Sequence, residues 1–155
     1  MTAPNHALTG AIIGAVIPNP WLALPLAFLS HFVLDALPHY DVPGDTDESR
    51  INSRLFLQVQ IIGGFVVCAA LVAAVWVVHP ADWFVICLAA FLGASPDLLS
   101  VPRFLDVKRN RVDPKDTWWF WRFHGRIQWK TGPWLWIVEL VWAIVSLIVL
   151  WKIIT

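Results

Sequence analysis

The sequence predicts an all-α fold: a polytopic membrane helical bundle with an N-terminal broken-helix hairpin, three long spans and an interfacial helix. Two observations carry that expectation. Hydrophobic residues make up 58% of the chain and charged residues 14%, with a mean hydropathy of +0.65. Soluble domains use roughly 45–50% apolar and about 25% charged residues. The apolar residues are also gathered into long uncharged runs separated by proline and charge. A chain of 155 residues built this way is read as one integral membrane domain, 1-155, whose apolar surface meets lipid.

The central spans come first because they are the plainest. Leu55 to Val78 contains no charged residue, and a helix of that length crosses a hydrocarbon core of roughly 30 Å. After His79-Pro80-Ala81-Asp82, a second apolar run from Trp83 reaches Ser95-Pro96-Asp97. Proline and the restriction on its preceding residue predict a helix end there. Trp134 to Trp151 forms the last span, with Pro133 in its first turn and Lys152 as an interfacial anchor.

The N-terminal region differs. Ala7 to Ile17 is too short to span, Pro18-Asn19-Pro20 interrupts it, and Trp21 to Leu37 is barely long enough. A hairpin of two helices fits this pattern, and such breaks at membrane depth need protein or a wet cavity to satisfy the freed backbone. Thr117 to Thr131 alternates aromatic with basic residues. That suits a helix at headgroup level, with membrane lipids as partners, better than a nucleic-acid stacking surface.

Charge sets the orientation. Eight of the eleven Lys and Arg residues lie between Ser100 and Gly132, whereas the link 79–82 has none. Cytoplasmic loops are enriched in Lys and Arg, which places the long segment in the cytoplasm of a bacterial-type inner membrane. The Pro38 to Arg54 loop and His6 then fall on that face, with His79 and Thr155 opposite. Net charge is zero and suggests no nucleic-acid partner. Cys68 and Cys87 sit in apolar runs without metal-type spacing and are read as packing residues.

On the cytoplasmic face the topology gathers most of the ligand-type residues of the apolar regions: His6, His31, Asp35, His39, Asp41, Asp97 and His124. His31 and Asp35 are four apart and share a helix face, so the carboxylate can ligate a metal or orient the imidazole. Pro38 stops that helix, and Pro43 helps keep 38–42 extended, aiming His39 and Asp41 to one side. Intramembrane ionisable groups usually face a bundle interior and mark function. Mixed imidazole and carboxylate donors suit a divalent metal, zinc first, with manganese or iron as alternatives. Glu139, alone within the last span, is read as a supporting group outside the ligand set.

His6-x-x-x-Gly10, Asp35-Ala-Leu-Pro38-His39-Tyr-Asp41 and Ser95-Pro96-Asp97 together resemble the bacterial LexA-binding, inner-membrane-associated metal-dependent hydrolases. The resemblance implies a multispan domain and ligand roles for His6, Asp41 and His124, with Gln128 standing where a second late histidine is usual. It implies metal-dependent hydrolysis; the residues themselves suggest an ester or phosphodiester as substrate with Asp35 or Asp41 as general base, and a lipid substrate follows only from the expected place of the site at headgroup depth beside the cationic aromatic helix. The rival expectation is a noncatalytic membrane scaffold or adaptor in which the polar cluster fixes helix packing. Ion transfer ranks below both, because the central spans offer almost no polar groups.

Overall fold

A computed structural model describes residues 1–40, 47–78, 81–108, 119–128 and 132–155, with the side chains of 47–61, 100–108, 121, 125 and 133 outside that description. Among the described residues every regular element is helical: α1 (Ala3–Val16), α2 (Pro20–Asp35), α3 (Asp47–Val78), α4 (Trp83–Lys108), α5 (Trp119–Ile127), a short 3-10 turn (Pro133–Leu135) and α6 (Trp136–Ile154). One of them, α6, is long and apolar enough to cross a membrane, and Pro20–Asp35, Ile62–Val78 and Trp83–Leu99 are shorter apolar helices. Of the three long spans expected from sequence, α6 alone among the described residues is long and apolar enough to cross a membrane.

The N-terminal hairpin forms because Pro18 and Asn19 interrupt the apolar run. Asn19 then caps α2, its side chain accepting from the Trp21 amide, and Pro20 occupies the first helical turn, where no amide hydrogen is needed. The helices run antiparallel, so the start of α1 lies beside the end of α2. Packing of α1 on α4 is the largest contact in the bundle. Small residues make it possible: Ala7, Gly10, Ala11 and Gly14 face Ala89, Ala90, Gly93 and Ala94. A methyl on Gly93 would lie 2.6 Å from the His6 carbonyl oxygen, and one on Gly10 would run into the Ala89 carbonyl. Close backbone approach through small residues is the packing mode of helices in an apolar medium.

Two prolines behave differently. Upstream of Pro38 the helix ends at Asp35, and its last amide bonds are Ala36 to Phe32 and Leu37 to Leu34. Pro96, expected to end α4, instead lies inside it and is buried. The reason is local. Pro96 cannot donate to the Leu92 carbonyl four residues earlier, and the Ser95 hydroxyl donates to that carbonyl at 2.9 Å, so the freed group is satisfied and the helix continues to Lys108.

Around its apolar core the bundle also buries polar groups and exposes many large apolar ones. Asn5, His6, His31, Asp35, His39, His124 and Glu139 are buried, while Leu29, Val33, Phe65, Trp76, Phe91 and most of α6 expose apolar side chains. So many exposed apolar side chains suit contact with another apolar phase or partner. Cys68 and Cys87 are free thiols packed at the edge of the apolar core.

Candidate metal centre

Three elements bring the site together. The end of α2 supplies His31 and Asp35, the middle of α4 supplies Asp97, and α5 supplies His124. The ligand-type atoms of these four residues lie within 4.8 Å of one another. His31 and Asp35 converge because they are one turn apart, as their spacing implies. His124 reaches them because α5 is strongly amphipathic, burying Phe120 and His124 while Arg122, Phe123 and Arg126 stay exposed. Phe32 meets the His31 and His124 rings edge-on and walls the site.

The tautomer of His31 follows from its partners. Its Nδ1 faces the Gly93 carbonyl at 2.9 Å; a carbonyl only accepts, so Nδ1 carries a proton, and in the neutral ring Nε2 then presents a lone pair. This is the orientation that metal-bound imidazoles adopt, with the remote nitrogen donating to a fixed acceptor. His31 Nε2 stands 3.1 Å from His124 Nε2 and 3.2 Å from Asp35 Oδ2, and His124 Nε2 stands 2.8 Å from the same oxygen. Three points so separated lie on a circle of radius about 1.8 Å, so a position roughly 1 Å above their plane is about 2 Å from each, a zinc–nitrogen or zinc–oxygen bond length. Asp97 Oδ1 is 3.7 Å from His31 Nε2 and its side chain is 29% exposed. It forms a looser corner on the accessible side.

Asp35 is the hub, 1% exposed. Its Oδ2 also accepts from Gln128 Nε2 at 3.0 Å. Its Oδ1 meets the Met1 amino group and accepts from His6 Nε2 at 3.0 Å. His6 Nε2 faces a second acceptor, the Met1 carbonyl, at 3.1 Å, so that nitrogen carries a proton. The His6 ring stacks on His31 with centroids 3.9 Å apart.

Of the seven residues proposed from sequence, His31, Asp35, Asp97 and His124 thus form one group. His6 contacts it through Asp35. His39 is buried outside it, its Nδ1 donating to the Leu37 carbonyl at 2.8 Å while its own carbonyl accepts from the Gly132 amide at 3.3 Å. Asp41 lies outside the described residues. Reasoning from sequence missed the Gly93 carbonyl, which has no residue-type signal, and the bond from Gln128 to Asp35. Comparison of the chain with protein-family models, curated proteins and solved structures finds no match.

Proposed function

We propose that the protein is a membrane-embedded metal-dependent hydrolase, acting on an ester or phosphodiester at the cytoplasmic face of a bacterial-type inner membrane. The observation that carries this reading is the triangle of His31 Nε2, His124 Nε2 and Asp35 Oδ2, whose edges suit one small divalent ion, with the looser Asp97 on the accessible side. A zinc ion held there would polarise the scissile group and lower the pKa of its water. Zinc is favoured by the two imidazoles, with manganese and iron as alternatives.

The roles of the side chains follow from their contacts. Asp35 has both oxygens engaged and acts as ligand and organiser, so the general-base role first assigned to it passes to Asp97, whose carboxylate reaches the outside. Asp41 stays a candidate for that role from its position in the sequence. Gly93 holds the His31 ring in its ligating tautomer, and the His6 ring buttresses it. The multi-pass topology rests on the apolar exposure of α2, α3, α4 and α6, and the cytoplasmic face on the basic 100–132 segment. Arg122 and Arg126 lie two residues either side of His124, on the opposite face of α5. They suit anionic headgroups rather than the metal, which supports a site at headgroup depth and makes a lipid ester or phosphodiester the first substrate class to try. The resemblance to the LexA-binding, inner-membrane-associated hydrolases points the same way.

A second reading has its own observation: Asp35 already accepts from His6, His124, Gln128 and the Met1 amine, so the cluster closes as a polar core without an ion, as a scaffold would need. Elemental analysis of the purified protein separates the two. The hydrolase reading expects about one tightly held divalent ion per chain, lost in His31→Ala, together with turnover of a phospholipid or a generic phosphodiester that chelator abolishes. Folded, metal-free protein after growth in zinc-, manganese- and iron-supplemented medium would establish the scaffold.

A further inference from the structure

Three buried side-chain atoms have no hydrogen-bond partner among the described residues: Asn5 Oδ1, His6 Nδ1 and Glu139 Oε1. With His6 Nε2 protonated, all three are lone-pair acceptors, so each calls for a donor or a cation. Two of them belong to one cluster. Asn5 Nδ2 donates to Glu139 Oε2 at 2.6 Å and to the Glu139 main-chain carbonyl at 3.0 Å. Thr2 donates to the same Oε2 from its amide at 3.0 Å and from its hydroxyl at 2.9 Å. One carboxylate oxygen therefore takes three donors and the other none.

The amide of Asn5 cannot be turned round to relieve this, because Oδ1 would then face two acceptor oxygens. Asn5 is 2% and Glu139 8% exposed, and no ion pair to Glu139 occurs among the described residues. Asn5 and Glu139 are joined through Asn5 Nδ2, and each keeps a bare buried oxygen; a buried carboxylate in that state is costly unless its charge is neutralised or a positive charge is brought to it.

We propose that Glu139 Oε1 and Asn5 Oδ1, between the first turns of α1 and α6, form a second cation site that takes a small monovalent ion of the sodium type. Oxygen-only donors select a hard ion rather than the zinc suited to imidazole. The single carboxylate balances one positive charge. Magnesium demands near-octahedral geometry and gives up its waters reluctantly, which disfavours it in so enclosed a place. Bound there, the ion ties the N-terminal turn of α1 to α6, next to the turn that sets His6 against Asp35.

The test uses the full chain in detergent micelles, melted in sodium chloride or choline chloride at constant ionic strength. Sodium should raise Tm saturably, by on the order of 5 °C, with potassium weaker. Glu139→Gln should abolish the sodium response while leaving divalent-metal content as in the wild type. If that variant does not fold, Asn5→Asp keeps an oxygen at the position and adds charge, and it should move the sodium midpoint to at least several-fold lower concentration. A wild-type Tm equal in sodium and choline would show that no cation serves these acceptors and would overturn the site. A sodium response retained in Glu139→Gln, or an unchanged midpoint in Asn5→Asp, would overturn it equally.

Discussion

Asp35 and Glu139 are buried carboxylates in one bundle, 1% and 8% exposed, yet their surroundings differ in kind. Imidazoles surround Asp35: His6, His31 and His124 lie 2.8 to 3.2 Å from its oxygens, and both oxygens are occupied. Amide and hydroxyl donors surround Glu139, and they crowd one oxygen only. The neighbours, more than the carboxylate, decide what each position can bind. The imidazoles and carboxylates around Asp35 form a group that could hold a metal ion; bare oxygens at Glu139 would suit a hard cation, as proposed above.

The largest effect should come from the hub. Asp35→Ala leaves a cluster of donors and imidazoles without its acceptor, and loss of one partner from a buried charged network costs about 3–5 kcal/mol. Divalent metal should disappear with it, read by elemental analysis alongside Tm. Glu139→Ala should cost less and spare the metal. Equal loss of metal in both variants would break the distinction between the two clusters.

Next comes Gly93→Ala, which would push a methyl to within 2.6 Å of the His6 carbonyl oxygen. Overpacking of this kind costs about 1–3 kcal/mol. Because the Gly93 carbonyl also accepts from His31, metal affinity should fall with stability. A variant that loses Tm while keeping full metal content would separate helix packing from ring orientation.

Gln128→Ala removes one donor from Asp35 Oδ2 and should cost roughly 1–2 kcal/mol while the three ligand atoms of the triangle keep the metal. Smallest should be His39→Ala. It loses the bond to Leu37 and some packing, about 1 kcal/mol, and metal stoichiometry should not change. Metal loss in His39→Ala would return this residue to the ligand set and sharpen the comparison in the other direction.

Much of the site was legible because of local geometry. His31 and Asp35 one turn apart on an apolar helix announce a shared face, and an aspartate among apolar residues announces a buried partner. His39 misled for a related reason: proximity in sequence to Asp35 says nothing once the helix ends, and the chain beyond Asp35 turns the ring back on Leu37. Pro96 misled because the usual proline rule ignores the hydroxyl of Ser95 one residue earlier. Glu139 was noticed as an isolated charge, but Thr2 and Asn5, its partners, sit in an opening stretch whose residue types carry no such signal.

By itself the sequence determined the helical class, the break at Pro18-Asn19-Pro20 and the apolar character of the surface, all of which depend on composition and short spacings. Only the tertiary structure decided which ligand-type residues meet. Asp97 and His124 join His31 and Asp35 because Gly10, Gly14 and Gly93 let α1 and α4 approach closely and because α5 turns one face inward. Those are distances between segments far apart in the chain. They are set by how small residues and backbone carbonyls pack against each other, and a linear pattern does not contain them.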